Sequence, residues 1–418
     1  MSRFLWTQKQ HTGPKPRFTH SIAFDADHAH TVLFGGDASG GHVFDDTWGW
    51  DGEHWTQLAD IGPSARSGHA MAYDNVRKRV VLFGGVSREG HRDTWEWNGE
   101  EWTQVADDGP VARFAHAMVF DSSRNRVVLF GGQTPETRML DDTWEWDGEV
   151  WTQVEDTGPP ARRGCAATYD DARKRFVLFG GDAGQASFGD TWEWNGTVWT
   201  GVADFGPEPR TAAAMAFKGD RVALFGGVGS MQPEVQPQLF GNTWEWDGTH
   251  WTQRQDIGPA GRWAHAMVFD SIRDAVVIFG GAAVFPLEAP EKIFGDTWEH
   301  IEQTTGQPPP PSGGDLESFV IQPATVRQGE RATGIVTLGK GFPQADVLLT
   351  PDPRVQFLFD PPVVDQHPGI HLNFPPGTQT LQFRFRDQPG SPVPLNVPIT
   401  IRADFGNSSL TASIIITQ

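Results

Sequence analysis

Short apolar runs recur at regular spacing through residues 1–304, and polar turn residues separate them. One unit, read from Gly62, runs GPSARSGHAMAYD, RVVLFGG, DTWEWNG and EWTQVAD, and each of the four runs has the length and composition of a β-strand. Asp-Gly or Asn-Gly joins the last two runs, which indicates a tight hairpin because both residues tolerate positive φ. We name the predicted strands a, b, c and d, and the pattern predicts an all-β chain.

A Gly-Gly pair follows strand b in every unit, and the pairs begin at Gly35, Gly84, Gly131, Gly180, Gly226 and Gly280. Their intervals of 49, 47, 49, 46 and 54 residues suit a four-stranded blade. The sixth unit stops at DTWEH (296–300) without a strand d, whereas the chain begins with an isolated WTQ at Trp6. We therefore expect six blades, with the N-terminal strand completing the sixth and leaving no open edge.

This spacing of an apolar strand, Gly-Gly and a Trp-bearing strand resembles the kelch repeat over residues 1–304. The resemblance implies a six-bladed β-propeller of the galactose-oxidase-like fold. Kelch propellers serve as protein-binding adaptors, actin binders, sugar oxidases, sugar isomerases and plant specifier proteins. The resemblance therefore implies no single activity.

The proline-rich and glycine-rich residues 305–314 (TGQPPPPSGG) predict a linker. Residues 315–418 predict about eight short strands, at 319–322, 334–338, 346–350, 355–359, 371–374, 381–386, 397–402 and 410–417. Their length and spacing resemble the immunoglobulin-like β-sandwich modules of bacterial proteins, although the Cys and Trp of the usual core are missing.

The formal charge of −20 lies almost wholly in the repeats, because residues 315–418 carry nine acidic and seven basic side chains. So acidic a surface disfavours nucleic acid and membranes as partners. Cys165 is the only cysteine, so an intrachain disulfide is impossible. As written, the chain shows no signal-peptide or membrane-spanning pattern, which suggests a soluble cytoplasmic monomer, or a secreted protein if a signal peptide was trimmed.

Repeated positions explain most of the residues that could carry chemistry. Of 18 tryptophans, 17 fall in three repeated slots, and Trp263 is the exception. Cys165, Tyr73 and Tyr169 also occupy repeat slots, which argues against the radical copper site of the sugar oxidases. Four histidines (His20, His69, His116 and His265) follow an Arg by three residues, and because a ring would hold them apart we expect structural roles, with no metal and no cofactor.

One arginine per blade follows Gly-Pro in the loop from strand d to strand a: Arg17, Arg66, Arg113, Arg162, Arg210 and Arg262. In the kelch adaptors that the repeat resembles, arginines near this loop grip acidic peptide groups. Alternatively, each arginine forms an ion pair with an aspartate that starts strand c: Asp46, Asp93, Asp142, Asp190 or Asp296. Asn242 replaces this aspartate in blade five, so Arg210 is expected to be the one free for a ligand.

Sequence variation is confined to the face that carries the b–c and d–a loops. The b–c loops hold 9, 7, 9, 8, 14 and 14 residues, whereas the c–d turns are nearly identical. Since binding residues concentrate on loops, we expect the site on this face. Beside the arginines, the candidate ligand-binding residues are Phe18, Phe114, Arg163 and Trp263, and Met231, Val235, Phe285 and Leu287 of the two long loops could add an apolar lip.

The sequence thus predicts a non-catalytic binding or scaffold protein that takes a protein, a peptide, or a small anionic or sugar ligand at the propeller mouth. One alternative is an enzyme, either metal-dependent or of a mutarotase-like sugar-isomerase type, with His42, Glu89 and His91 as acid–base groups. Another is a structural or cell-surface module.

Overall fold

A computed structural model of the chain describes residues 6–9, 13–184, 186–229, 238–254, 258–283 and 293–301, together with the strand backbone of the C-terminal part. The chain divides into two compact units, Met1–Thr305 and Gly306–Gln418. The first unit contains six antiparallel sheets of four strands, each in the order a-b-c-d. The prediction of an all-β, six-bladed propeller is therefore confirmed.

The strands of the first three blades have these bounds: Ser21–Asp25, His30–Phe34, Thr47–Trp50 and Trp55–Ala59; Ala70–Asp74, Arg79–Phe83, Thr94–Trp97 and Trp102–Ala106; Ala117–Asp121, Arg126–Gln133, Met139–Trp146 and Trp151–Glu155. Blades four, five and six follow: Ala166–Asp170, Arg175–Phe179, Thr191–Trp194 and Trp199–Ala203; Ala214–Phe217, Val222–Phe225, Thr243–Trp246 and Trp251–Gln253; Ala266–Asp270, Ala275–Phe279, Thr297–Ile301 and Trp6–Gln8. A 3₁₀ turn spans Ser39–Gly41 in the first b–c loop.

The N-terminal strand closes the ring. Trp6–Gln8 pairs antiparallel with strand c of blade six, where Trp6 lies opposite His300. The Trp6 indole N–H also donates to the Thr243 hydroxyl of blade five at 3.3 Å. The predicted closure is confirmed, and the same indole-to-threonine bond recurs around the ring, for example from Trp102 to Thr47 at 2.9 Å.

The hydrophobic core lies between neighbouring blades rather than within them. In blade two, Val81 and Phe83 of strand b pack against blade three, whereas Val80 and Leu82 pack against blade one. Strand b is therefore buried on both faces, which explains its unbroken apolar sequence. The second tryptophan of strand c is fully buried in five blades, at Trp50, Trp97, Trp146, Trp194 and Trp246.

The Gly-Gly pair is required where two blades meet. Gly35 and Gly36 have φ values of 65° and 99°, a left-handed region that favours glycine. A Cβ on Gly35 would lie 2.7 Å from the Arg66 carbonyl oxygen of the next blade. The N–H of Gly36 donates to that same oxygen at 2.9 Å. Equivalent bonds link every blade to the next, including Gly281 to Arg17 at 2.9 Å across the closure.

The four repeated histidines are buried in these inter-blade contacts. Each ring packs edge-on against a phenylalanine of the preceding blade, as His116 does against Phe83 at 5.6 Å between centroids. Both nitrogens of all four rings are buried and make no side-chain hydrogen bond in the described structure. Burial lowers the pKa of each imidazole, to about 3 for His116 and His265. They are consequently neutral packing residues.

The second unit contains two described sheets. One has the strands Leu316–Gln322, Ala332–Leu338, Thr380–Asp387 and Val355–Leu358; the other has Thr325–Arg327, Ser408–Thr417, Pro398–Phe405, Ala345–Thr350 and Ile370–Phe374. Every strand predicted for this region overlaps one of these. The immunoglobulin-like assignment stays a prediction, and the predicted linker 305–314 lies outside the described residues.

Acid should destabilise the propeller through these histidines. Because burial lowers their folded-state pKa below the ordinary 6.5, stability is complete above about pH 6.5 and is lost as the pH falls towards about 3. His116→Cys copies blade four, where Cys165 fills this slot. We expect this variant to lose about 2 kcal/mol less of its unfolding free energy than the wild type between pH ~7.5 and ~4.5.

Urea unfolding at the two pH values, followed by tryptophan fluorescence, measures this loss. All 18 tryptophans lie in the first unit, so the signal reports on the propeller alone. Equal losses in the wild type and in His116→Cys would contradict the role given to this histidine.

Candidate functional site

A closed ring of backbone hydrogen bonds surrounds the propeller axis at the start of strand a. In each blade, one residue donates its N–H to the carbonyl oxygen of the equivalent residue in the preceding blade, over 2.7–2.9 Å. We call these six residues the inner ring: Thr19, Gly68, Ala115, Gly164, Ala212 and Ala264. All six have a φ between 53° and 65°. The inner ring fixes the backbone on the face that carries the b–c and d–a loops.

Two columns of side chains lie next to the inner ring. The residue before each inner-ring member pairs through a β-bridge with the residue after Gly-Gly, as Phe18 does with Asp37 through bonds of 3.0 and 2.8 Å. We call these twelve residues the mouth: Phe18, Ser67, Phe114, Arg163, Thr211 and Trp263 in one column, and Asp37, Val86, Gln133, Asp182, Val228 and Ala282 in the other. Their backbone repeats while their chemistry differs from blade to blade.

The repeated arginines lie beneath the mouth and are already paired. Arg17 is 0% exposed, and its guanidinium donates to both Asp46 carboxylate oxygens at 2.6 and 2.9 Å and to the Gly35 carbonyl oxygen at 3.0 Å. The Trp48 indole N–H donates to the same carboxylate at 2.8 Å. The fork recurs as Arg66 with Asp93, Arg113 with Asp142, Arg162 with Asp190, and Arg262 with Asp296.

The Arg–Asp forks are largely buried and belong to the packing of the propeller. Burial raises the pKa of the Asp46 carboxyl, but the hydrogen bonds and the charge of Arg17 together outweigh it, so the net shift is downward. An aromatic ring stacks on the guanidinium, as Phe44 does at 3.9 Å. To meet a ligand, an arginine would have to leave its carboxylate. The guanidinium groups are buried and already hydrogen-bonded, so nothing in their geometry supports a ligand-binding role. That role stays a prediction.

Blade five departs from the pattern, although its arginine is not free. Arg210 is 1% exposed and donates to the Asn242 side-chain oxygen at 2.7 Å and to Glu208 at 2.6 Å. The expectation that this arginine is available to a ligand is therefore wrong. Burial lowers the pKa of Arg210 to about 10, while Glu208 acts in the opposite direction. In the other blades, the aspartate at this position accepts a hydrogen bond from the indole N–H of the next tryptophan. In blade five the indole nitrogen of Trp244 is buried without a partner in the described structure.

Trp263 is also less available than its unrepeated position suggested. It is 8% exposed and packs in an apolar cluster with Phe18, Val228, Ala282 and Ile293. The Phe18 and Trp263 rings approach to 5.8 Å between centroids. The expectation of an aromatic surface without a packing role is wrong for Trp263, and Phe18 is equally buried. These residues form the apolar side of the mouth, beside blades five, six and one.

The opposite side of the mouth is polar and partly open. Arg163 has a side chain that is 31% exposed, and it donates to Asp182 at 3.3 Å and to the side-chain oxygen of Gln133. Asp182 also accepts from the Thr211 hydroxyl at 2.9 Å. Phe114 is half-buried beside Gln133. Of the predicted ligand-binding residues, Arg163 and Phe114 are those that the geometry leaves accessible.

Sequence reasoning missed the column after Gly-Gly, which contributes Asp37, Gln133 and Asp182. A signal was present, because this position holds four residue types in six repeats (Asp, Val, Gln and Ala) although it adjoins an invariant pair. Burial raises the pKa of the Asp37 carboxyl, and hydrogen bonds from Ser67 and Thr19 only partly offset this. Among the described residues, Asp37 has no cationic partner.

The residues considered for acid–base chemistry make contacts within their own loops. His42 lies edge-on to Phe44 at 4.6 Å, and His91 contacts the Ser87 hydroxyl at 3.0 Å, with a pKa that burial lowers. The apolar lip of Met231, Val235, Phe285 and Leu287 lies outside the described residues. Within the described ranges, no three His, Cys, Asp or Glu side chains are grouped to hold a metal ion.

The opposite face repeats one polar network in blades two, three and four. Arg77 donates to Asp74 at 2.8 Å and pairs with Glu96, and the same arrangement links Arg124 to Asp121 and Glu145, and Arg173 to Asp170 and Glu193. Each arginine also covers the glycine of a neighbouring Asp-Gly or Asn-Gly turn, as Arg77 covers Gly148. This face is built for packing between blades.

Comparison with known proteins supports the repeat assignment. The family model described as the KLHDC2/KLHL20/DRC7 Kelch-repeats domain matches residues 93–281. Residues 93–281 are therefore kelch repeats, and they lie within the six-bladed β-propeller of the first unit. The solved structure entitled "Structure of YjhT" is similar to this kelch chain, with a TM-score of 0.56 at 14% identity, over 70% of this chain and 98% of that one. No curated protein matches the chain in sequence. No helix among the described residues is long and apolar enough to cross a membrane.

Blade five offers a direct test of the arginine forks. Asn242→Asp should give Arg210 a carboxylate fork and Trp244 an acceptor, since the 54% exposed Glu208 side chain can turn away. We expect the free energy of unfolding to rise by about 1 kcal/mol. The reciprocal change in blade three, Asp142→Asn, should lower it by about 2–3 kcal/mol, because Arg113 stays buried without its counter-charge.

Both variants are measured by urea unfolding followed by tryptophan fluorescence. A neutral Asn242→Asp together with a neutral Asp142→Asn would show that the forks contribute nothing to stability.

Proposed function

We propose that this kelch propeller is a non-catalytic binding protein that holds a peptide or protein segment at its mouth. One observation carries the proposal: the mouth presents twelve side chains of nine residue types on one constant backbone ring, whereas the opposite face repeats one network in blades two, three and four. A rigid scaffold that carries variable side chains is the usual construction of a recognition surface.

The side chains favour a ligand with both polar and apolar groups. Phe114 and Arg163 are of the types that most often anchor interfaces, and both are partly exposed. Gln133, Asp182 and Thr211 add donors and acceptors beside them. A preference for anionic ligands would need unpaired arginines at the mouth, and since the repeated arginines are paired with carboxylates we do not extend the proposal to anions.

Selection from a random peptide library displayed on phage tests the proposal. The full chain and the double variant Phe114→Ala/Arg163→Ala are used side by side, and enrichment is expected on the wild type only. For an enriched peptide, each single change should weaken binding by about 1–3 kcal/mol in calorimetry.

Glu149→Ala and Thr197→Ala serve as controls because both residues lie in exposed c–d turns of the opposite face. Equal enrichment on the wild type and the double variant, absence of enrichment on either, or affinities that fall only for the two controls would each count against a site at the mouth.

A further inference from the structure

The equivalent slots of blades one and four carry the same acidic side chain in different surroundings. Asp37 and Asp182 both follow Gly-Gly and both pair through a β-bridge with the residue after the repeated arginine. In blade four that bridge partner is Arg163, whereas in blade one it is Phe18. The internal repeat therefore allows one slot to be compared with the other inside a single molecule.

Blade four shows the slot with a cation in place. The guanidinium of Arg163 donates to one oxygen of Asp182 at 3.3 Å, and the hydroxyl of Thr211 donates to the other oxygen at 2.9 Å. Thr211 belongs to the next blade, at the position after the repeated arginine. The carboxylate is thus held between a hydroxyl from one side and a guanidinium from the other.

Blade one keeps the carboxylate and the hydroxyl but has no cation. Ser67, at the position equivalent to Thr211, brings its hydroxyl to Asp37, and this hydroxyl also lies 3.5 Å from the Val86 carbonyl oxygen. The Thr19 hydroxyl lies 3.0 Å from an Asp37 oxygen and 2.6 Å from the Phe18 carbonyl oxygen, so the two acceptors share its one proton. Phe18, which stands where Arg163 does, turns into the apolar cluster with Trp263. Within the described residues, the Asp37 carboxylate is left half-buried without a counter-charge.

A half-buried carboxylate without a counter-charge favours the binding of a cation, since the cost of removing the carboxylate from water has already been met in the folded protein. Blade four shows the shape of cation that fits, because a planar guanidinium matches a carboxylate that a hydroxyl holds in place. The repeated arginines beneath the mouth are engaged with their own aspartates and do not fill the slot.

We propose that Asp37 binds the guanidinium group of a ligand, such as an arginine side chain of a bound peptide, in the position that Arg163 occupies at Asp182. This inference deepens the proposed binding function and rests on it. Phe18 and Trp263 form the apolar wall on one side of the slot, and Ser67 and Thr19 orient the carboxylate.

The test uses the full chain and two small probes of nearly the same shape, N-acetyl-arginine amide and its uncharged counterpart N-acetyl-citrulline amide. Binding is followed by NMR titration at neutral pH. We expect millimolar binding of the arginine probe, corresponding to about −4 kcal/mol, and at least about tenfold weaker binding of the citrulline probe. The arginine probe should also move the titration of the Asp37 carboxyl to lower pH.

Three variants locate the effect. Asp37→Asn preserves the shape of the side chain and should abolish the preference for the arginine probe, whereas Glu149→Gln on the opposite face should leave the preference unchanged. Phe18→Arg supplies the missing cation from within the chain and should block the probe. Should the loss of packing against Trp263 unfold that variant, Asp37→Asn still decides the question.

Equal affinity for the two probes, a preference that survives Asp37→Asn, or no binding of either probe at about 50 mM would overturn the inference. Its failure can be distinguished from failure of the proposed function. Peptides that depend on Phe114 and Arg163 but lack arginine and ignore Asp37→Asn would leave the binding function standing without the guanidinium slot. Binding of the arginine probe at Asp37 together with no selected peptide would leave the guanidinium slot standing without the peptide-binding function.

Discussion

Six blades must meet around one axis with no gap, and the hydrogen bonds between inner-ring residues satisfy that constraint. Each inner-ring N–H reaches the preceding blade over 2.7–2.9 Å, and the last bond, from Thr19 to Ala264, joins residues that are far apart in sequence. The geometry demands a left-handed backbone at every position. Gly68 and Gly164 adopt it easily, whereas a residue with a Cβ is strained there by about 1–2 kcal/mol. Neighbouring blades over-determine the conformation and so hold these residues in it.

The constancy of the ring is what allows the mouth to vary. Because every mouth residue takes part in a β-bridge, and those of the first column also adjoin a ring hydrogen bond, the mouth backbone does not depend on its side chains. At some positions the residue type is still constrained by neighbouring side chains. Gly164 must stay glycine because a Cβ there would lie 2.3 Å from the Thr211 hydroxyl, which bonds to Asp182. Thr19, although β-branched, is held at a φ of 54° with its hydroxyl on Asp37.

The repeat made much of the first unit predictable. Blade number, ring closure and the packing of the repeated tryptophans all follow from the period and from the split sixth unit. The arginine forks were one of two predicted alternatives, and the structure contains them. Two predictions failed, one because ring closure brings distant residues together and one because a residue of the same loop takes the place of the missing partner. Trp263 is buried because Phe18, from the other end of the propeller sequence, packs against it. Arg210 finds Glu208 in its own loop once Asn242 replaces the aspartate.

The candidate site was only partly visible in the sequence. Loop lengths pointed to the face on which the mouth lies, and Arg163 and Phe114 were recognised because they vary beside a repeated arginine. The column that contains Asp37, Gln133 and Asp182 was missed because its meaning depends on β-bridges to residues about twenty positions earlier. The two roles weighed for the repeated arginines could not be separated in the sequence, since a count of arginines does not reveal how many of them are neutralised by buried forks.

Native-state hydrogen exchange of the six inner-ring amides tests most directly whether the mouth rests on a rigid ring. If the hydrogen bonds close the propeller as described, the amides of Thr19, Gly68, Ala115, Gly164, Ala212 and Ala264 should exchange with one common free energy, equal to that of the buried strand b amides, because they open only when the propeller unfolds as a whole. Fast exchange at Thr19 and Ala264 while the strand b amides stay protected would show that the ring opens between blades six and one. The mouth would then not be the fixed surface that this account requires.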